Sequence, residues 1–230
     1  MTKRRLVLPL LLALTLSLSL SARVTQKKPA PNLAGAWRNQ YTPNLVDALG
    51  HEPPYTAYGA ERWRTVDTSK DPTGFCLPPG PSRVLTSPFP FVIVQQEDRI
   101  ALLFEYQTLW RMVYMDGRGH PADIADYPEF MGHSIGRWEG ETLVIETIGF
   151  NGRGQLDAMG HRYSSAMRLT ERYTRRSAGR MDAQFTIDDP ETFTKPITVS
   201  LAMVLRADTD LIEYVCAENE KDKQRIALAH

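Results

Sequence analysis

Residues 166–206, AMRLTERYTRRSAGRMDAQFTIDDPETFTKPITVSLAMVLR, alternate between apolar and polar side chains over much of their length. Such alternation predicts β-strands that have one buried and one exposed face. A turn around residues 177–180 separates two of the predicted strands, as in a hairpin. The residues expected on the buried faces of the last two strands are Met181, Ala183, Phe185, Ile187, Ile197, Val199, Leu201, Met203 and Leu205.

The pattern extends back to residue 91 and predicts about nine strands, most of them joined by short turns such as Asp116-Gly117. Consecutive hairpins favour an antiparallel meander, which hides its edges by closing into a barrel or folding into a sandwich. We predict an all-β protein whose antiparallel meander closes into a β-barrel. The predicted strands cover 91–95, 99–106, 108–115, 134–138, 142–149, 166–175, 181–187, 195–206 and 211–216.

The chain before residue 91 predicts short helices and irregular structure. Thr42-Pro43 to Gly50 is typical of a short helix, with Pro early and Gly as the stop, and a second helical piece is expected over 55–64. Residues 71–90, DPTGFCLPPGPSRVLTSPFP, predict a long irregular segment, because proline cannot contribute to the interior of a sheet.

The first 22 residues have the pattern of a secretory signal peptide. Lys3, Arg4 and Arg5 precede an apolar run over 6–14, and small residues follow at Ser21-Ala22. A membrane span would need about 20 apolar residues. We therefore predict a periplasmic or secreted protein without a lipid anchor. Its parts are a signal peptide (1–22), a disordered lead-in (23–32), one barrel domain (33–219) and a flexible tail (220–230).

The charge balance argues against partners that bind through bulk charge. The whole chain has 27 basic and 27 acidic residues, and loss of the three cations of the signal peptide leaves 24 against 27. Nucleic-acid-binding domains carry a basic excess, so we expect no nucleic-acid partner. We also expect that the protein is not an integral membrane protein, and the composition leaves its oligomeric state open.

The two cysteines of the predicted mature chain, Cys76 and Cys216, are expected to form a disulfide, because exported thiols are usually oxidised. Two buried free thiols are the alternative. A zinc site is not expected, since neither cysteine has a histidine or a second cysteine at ligand spacing.

Three charged residues fall in apolar rows of the predicted strands: Arg111, Glu171 and Glu213. An unpaired buried charge costs several kcal/mol, so these groups face outward, pair with one another, or orient a ligand in a barrel lumen. The candidate ligand-binding residues are Arg111, Tyr114, Trp138 and Glu213.

Histidines and carboxylates between residues 116 and 172 are the candidates for chemistry. Asp157 and His161 could form an oriented acid–base pair, with the carboxylate holding the imidazole tautomer. Together with His133 they could instead hold a metal ion, or Asp157 could only cap a turn. The candidate catalytic residues are His133, Asp157, His161 and Glu171, and we expect no cofactor and no metal.

Two resemblances accompany these patterns. Gly35-Ala36-Trp37 resembles the Gly-x-Trp opening of lipocalin-type barrels, which implies a lipocalin-like barrel with the Trp at its base. The segments MGHSIGRWEGETLVIETIGFN, LTERYTR, TIDDPETFTKPITV and EYVCAENE resemble those of a large group of exported proteins from soil bacteria. That resemblance implies export and no particular activity.

Two functions of different class follow. The first is an exported barrel that binds a small, mostly apolar molecule. The second is a cofactor-independent isomerase, cyclase or lyase that uses His133 and the Asp157–His161 pair for proton transfer. A structural role in the cell envelope is a third option. Convergence of His133, Asp157, His161 and Glu171 in one pocket would favour the enzyme.

Overall fold

A computed structural model describes residues 29–219, and these form a closed barrel of nine strands. Each strand pairs with the next along the chain, and the first pairs with the last. The predicted all-β barrel is therefore confirmed. The strands are β1 (Gly35–Asn39), β2 (Phe91–Gln95), β3 (Arg99–Phe104), β4 (Trp110–Tyr114), β5 (His133–Glu139), β6 (Thr142–Ile148), β7 (Arg168–Ser177), β8 (Arg180–Asp188) and β9 (Ile197–Leu205).

One pair of strands departs from the predicted antiparallel meander. β4 and β5 are parallel, with Val113 opposite Ser134 and Tyr114 opposite Ile135, whereas the other neighbours are antiparallel. The strand count explains this difference, since an odd number of strands cannot close with every neighbour antiparallel. β5 begins beside the end of β4, so the connection over 115–132 need not return along the barrel.

The ninth strand is not the predicted one. Residues 211–216 form no strand, and the barrel is completed by β1 at the Gly-x-Trp segment. β1 closes the barrel because its residues pair on both sides: Trp37 lies opposite Phe91 of β2 and opposite Leu205 of β9. The prediction of a strand over 211–216 is wrong because Cys216, held in a disulfide, begins a short helix instead.

Short helices cover the region between β1 and β2, as predicted. The first begins after Asn44, whose side chain accepts a hydrogen bond from Val46 N, and it ends at Gly50 with a φ of 74°. The expected start at Thr42 was two residues early. Residues 71–90 are less irregular than predicted, because a 3₁₀ turn (Pro72–Phe75) and one helix interrupt them. The helices are α1 (Leu45–Leu49), α2 (Ala57–Arg64), α3 (Pro81–Thr86) and α4 (Cys216–Asn219).

Alternate residues of the strands fill the barrel interior. Along β8 every second residue from Met181 to Ile187 is buried, and Ile197, Val199 and Met203 of β9 face them. Trp37 is fully buried and donates a hydrogen bond from Nε1 to the Leu33 carbonyl at 2.8 Å. The interior is thus a packed core of the kind that small barrels build from side chains.

Cys76 and Cys216 form the predicted disulfide, with 5.7 Å between their Cα atoms. The pairing is compatible with an exported protein. Within residues 29–219 no helix is long and apolar enough to cross a membrane. The predicted signal peptide, most of the lead-in and the predicted tail lie outside the described residues.

Candidate functional site

A polar network occupies the centre of the barrel. The Arg111 guanidinium makes a two-point contact with the Glu171 carboxylate, with 3.0 Å between Nη1 and Oε1. Nε of Arg111 donates to Ser134 Oγ at 2.8 Å, Nη2 donates to Thr147 Oγ1 at 2.8 Å, and the Tyr173 hydroxyl donates to Glu171 at 2.7 Å. The two charged side chains are only 1% and 0% exposed.

This network is satisfied by the protein itself. Burial raises the pKa of Tyr173, and the neighbouring Glu171 carboxylate raises it further, so the phenol stays a hydrogen-bond donor. Burial works against the charge of Arg111, but Glu171 outweighs it and the pKa of the guanidinium is raised. Arg111 and Glu171 therefore lie inside the barrel. Of the three alternatives considered for charges in apolar rows, they follow the second, because they pair with each other.

Asp157 and His161 form the predicted hydrogen-bonded pair. A backbone hydrogen bond from Leu156 N to the His161 carbonyl, 2.7 Å long, closes the loop between them. Oδ1 of Asp157 accepts from the backbone N–H groups of residues 159–161, and Oδ2 accepts from Leu45 N at 2.7 Å and from His161 Nδ1 at 2.5 Å. The carboxylate thus fixes the imidazole with its proton on Nδ1.

The other nitrogen of this imidazole faces no partner. His161 is 1% exposed, and its Nε2 is buried without a hydrogen-bond partner among the described residues. Trp63 of α2 covers the ring, with 3.9 Å between centroids and 12° between planes. The Tyr55 hydroxyl, whose ring lies parallel to that of His161 at 6.4 Å, also lacks a partner there. Burial raises the pKa of Tyr55, and Asp157 adds to that increase.

His133 belongs to a different group of side chains. Its Nδ1 lies 2.9 Å from Nδ1 of His120, and its ring stacks on Tyr114, which Arg118 covers on another side. Burial lowers the pKa of both histidines. Within residues 29–219 there is no group of three or more His, Cys, Asp and Glu side chains that could hold a metal ion.

The four candidate catalytic residues therefore separate into three groups. Asp157 pairs with His161, Glu171 pairs with Arg111, and His133 pairs with His120. Within residues 29–219 no hydrogen bond joins one of these pairs to another. The convergence that would favour an enzyme is not seen. Glu213 is exposed and lies outside the barrel strands, so it does not orient a ligand in the lumen as predicted.

An aromatic cleft of about 230 Å³ lies at the end of the barrel where the chain leaves β1 and enters β2. It is open to solvent on one side, where Tyr41 is 50% exposed. We call it the aromatic cleft and define it by its main walls, Tyr41, Pro43, Arg83, Pro88, Phe89 and Tyr106.

A small inner recess of about 20 Å³ lies next to the aromatic cleft, since Thr42 and Thr86 line both. The surface that its walls expose is mostly apolar, and its polar lining residues are Thr42, Asn44, Ser82, Thr86 and Asp157. The Ser82 hydroxyl is buried without a hydrogen-bond partner among the described residues. Such an atom is unusual, because buried polar groups are nearly always paired.

The disulfide holds one side of the aromatic cleft. The rings of Phe89 and Tyr106 lie 5.2 Å apart, and both contact Tyr214, at 5.5 and 5.3 Å. Tyr214 is two residues before Cys216, and its carbonyl accepts a hydrogen bond from Thr108 Oγ1 at 2.9 Å. The covalent link to Cys76 therefore fixes the segment that supports the wall.

A larger cavity of about 720 Å³ lies at the other end of the barrel. We call this the turn-bearing end, because short turns join β2 to β3 and β5 to β6 there. Trp138, one of the predicted ligand-binding residues, lines it together with Gln95 and Glu97. Pro29, the first described residue, forms part of its wall.

Sequence reasoning missed the residues of the aromatic cleft and some members of the buried network. Ser134 and Thr147 could have been identified from the sequence, because each lies at an inward-facing position of its strand, where the alternation predicts burial. Tyr41, Phe89 and Tyr106 come from three separate segments without periodicity. No local signal links them.

Comparison with protein-family models and with curated proteins gave no match. Among solved structures, the chain is similar to a mutant of the fluorescent protein UnaG. The two share 11% sequence identity, and the similarity covers 77% of this chain and 97% of that chain with a TM-score of 0.32. A TM-score of this size does not establish a shared fold, and the barrel assignment rests on the strand pairing.

Proposed function

We propose that this chain is an exported β-barrel protein that binds a small, mostly apolar molecule in the aromatic cleft. The observation that carries the proposal is the cleft itself: three aromatic rings and two prolines line a cavity. In the recess next to it lies the buried Ser82 hydroxyl, which has no hydrogen-bond partner among the described residues. Small-molecule sites have this composition, with apolar walls and a few placed polar groups.

The packing of the barrel supports a site outside the lumen. The interior holds large buried side chains such as Trp37, Tyr173 and Phe185, and its charges are already paired. A ligand in the lumen would have to displace these groups. The cleft needs no such displacement, because Tyr41 lies at an opening to solvent.

Export is part of the proposal. The predicted signal peptide and the disulfide support it, since structural disulfides persist in oxidising compartments. Membership of the group of exported soil-bacterial proteins stays a prediction.

Native mass spectrometry of the protein purified from the periplasm tests the binding function. We expect a co-purified small molecule that is retained on the wild-type protein and lost from Tyr41→Ala. Tyr41 is half exposed, so its truncation should leave the fold intact. Tyr127→Ala, which removes a 69% exposed tyrosine from another part of the surface, is the matched control and should retain the molecule.

The variant Trp138→Ala shows which of the two cavities holds the ligand. Loss of the molecule from Trp138→Ala, with retention by Tyr41→Ala, would move the site to the turn-bearing end and overturn the cleft assignment. A wild-type protein that carries no small molecule, and that binds none from an extract of apolar compounds, would overturn the binding function itself.

A second function, proton-transfer catalysis at His161, is favoured by one observation. Its Nε2 has no hydrogen-bond partner in the part of the chain that the structure describes, while Asp157 holds the ring from the other side, an arrangement in which an imidazole can accept a proton. A substrate would have to pass Trp63 to reach that nitrogen. The experiment must therefore measure whether a reagent can reach His161 Nε2 in the folded protein.

Mass-mapped modification by diethylpyrocarbonate measures that access. If the enzyme function holds, His161 should be modified in the folded protein at a rate within about tenfold of the exposed His51, and Trp63→Ala should accelerate the reaction. An unmodified His161 beside fully modified His51 would remove His161 from consideration as a catalytic base.

A further inference from the structure

The size of the aromatic cleft limits its ligand. An apolar cavity of about 150 Å³ holds benzene. The aromatic cleft, at about 230 Å³, is larger than that cavity and smaller than the usual range of about 300–1,000 Å³ for ligand pockets. The part of a ligand that the cleft encloses therefore has the size of about one ring or two fused rings.

The walls favour a flat ligand. Tyr41, Phe89 and Tyr106 present aromatic rings, and Pro43 and Pro88 add rigid apolar surface. Aromatic groups pair with such rings in offset-stacked or edge-to-face geometry, which adds to the gain from apolar burial. Rigid walls of this kind accommodate a flexible chain less well than a planar ring.

The charges at the cleft favour a ligand without charge. Arg83 donates both to the Asp71 carboxylate, at 2.8 and 2.6 Å, and to Gln155 at 2.9 Å. Asp157, at the inner recess, already accepts five hydrogen bonds. A charge on the ligand would therefore compete with contacts that these groups already make, and an unpaired charge is costly to bury.

The inner recess has room for one polar group. A water-sized probe needs about 10–15 Å³, and the recess offers about 20 Å³. Ser82 lines that recess, and its buried Oγ, which has no partner within residues 29–219, can both donate and accept a hydrogen bond. A single hydroxyl on the ligand would fit the space and pair with Ser82.

We propose that the aromatic cleft binds an uncharged phenol-type compound of one ring or two fused rings, with the ring between the aromatic walls and the hydroxyl at Ser82. This inference rests on the proposed binding function and names the chemical class of its ligand.

Isothermal titration with three matched probes at pH 7 tests this class. The probes are 2-naphthol, naphthalene without the hydroxyl, and 2-naphthoate with a carboxylate in its place. We expect 2-naphthol to bind about 3- to 10-fold more tightly than naphthalene, the gain of one hydrogen bond. We expect 2-naphthoate to bind at least about tenfold more weakly than 2-naphthol, because its charge is buried unpaired.

Ser82→Ala assigns the hydroxyl contact. The substitution removes a group that makes no hydrogen bond within the described protein, so folding should be unaffected. In this variant 2-naphthol and naphthalene should bind equally. Ser200→Ala, at an exposed position on β9, should keep the wild-type preference. A preference that survives Ser82→Ala, or tighter binding of 2-naphthoate, would overturn the inference.

An aliphatic probe, 1-octanol, separates this inference from the binding function. Binding of 1-octanol that is lost in Tyr41→Ala, without binding of 2-naphthol, would overturn the phenol class and leave the cleft as the binding site. Failure of both probes, together with the absence of any co-purified molecule, would overturn the inference and the proposed function alike.

Discussion

Arg111 and Glu171 form a two-point ion pair at the centre of the barrel, on strands β4 and β7 that are not neighbours in the sheet. The pair therefore spans the interior rather than following the strand surface. Ser134, Thr147 and Tyr173 supply the remaining hydrogen bonds. Because the pair is completely buried, its two halves should depend strongly on each other.

Glu171→Ala should therefore be strongly destabilising. The substitution leaves the Arg111 guanidinium buried without its counter-ion, which typically costs about 3–5 kcal/mol. Urea unfolding, followed by circular dichroism, measures the loss. Glu146→Ala is the matched control, because it breaks the surface pair with Arg137 and should cost less than about 1 kcal/mol.

Replacement of both partners by apolar residues should recover much of that loss. Arg111→Met with Glu171→Leu leaves no unpaired charge, and apolar replacements of buried ion pairs are often neutral or stabilising. A double variant that is as unstable as Glu171→Ala would contradict this expectation. It would indicate that the Ser134 and Thr147 hydroxyl groups, left without Arg111 as their hydrogen-bond partner, cause the loss of stability.

Loss of the disulfide should lower stability and loosen the aromatic cleft. The chain between Cys76 and Cys216 is long, and the chain-entropy model assigns such a loop about 5 kcal/mol as an upper figure. The paired variant Cys76→Ser with Cys216→Ser should show a lower thermal midpoint and weaker ligand binding, because Tyr214 loses its anchor beside Tyr106. A reductant should have no further effect on this variant, and two free thiols in the native protein would refute the bridge.

The stability of the fold should fall as the pH is lowered through the titration of His120 and His133. Burial holds the pKa of both below the ordinary value of 6.5, so the folded state binds fewer protons than the unfolded state. Their contribution is present above about pH 6.5 and is lost as the pH falls through the two folded-state pKa values. Glu146 and Arg168 act on His120, and Arg118 and Glu129 act on His133.

Thermal midpoints between pH 7.5 and 5 measure this dependence. The double variant His120→Asn with His133→Asn should lose less stability over that range than the wild type does. His51→Asn, at an exposed histidine, should follow the wild type. Parallel curves for the double variant and the wild type would show that the two imidazoles do not determine the effect.

Asp157→Asn should be destabilising despite its similar shape. The carboxylate accepts five hydrogen bonds, and an amide group replaces one of its acceptor oxygens with a donor that faces other donors. Unpaired buried groups cost about 1–3 kcal/mol each, so we expect a loss of about 3 kcal/mol or more in urea unfolding. Asp188→Asn, at an exposed position of β8, should change stability by less than about 0.5 kcal/mol.

Much of the barrel was predictable because period-two alternation reports burial directly. Along β8 and β9 the residues predicted to face inward do so, and Glu171 was recognisable as a charge in an apolar row of β7. The parallel β4–β5 pair was not predictable from any one segment. The parity of a closed ring of nine strands requires at least one parallel pair, but it does not determine which neighbours form it.

The failures share a physical cause, since each depends on contacts between distant parts of the chain. β1 is stabilised by partners on two remote strands, and residues 211–216 alternate in the manner of a strand but are held by the disulfide. Asp157 and His161 were identified because their pairing is local. Tyr41, Phe89 and Tyr106 are brought together only by the tertiary fold.

The pairing of β1 with β9 has a consequence for how the chain folds. Nearly the whole described chain lies between Trp37 and its partner Leu205, so this pairing is highly non-local, and all-β folds that depend on non-local pairing typically form in about milliseconds to seconds. Formation of the intervening hairpins shortens the loop that this pairing must close, so the hairpins are expected to form first. A chain that emerges amino-terminus first can pair β1 with β2 early, but the other edge of β1 stays open to association until β9 has appeared.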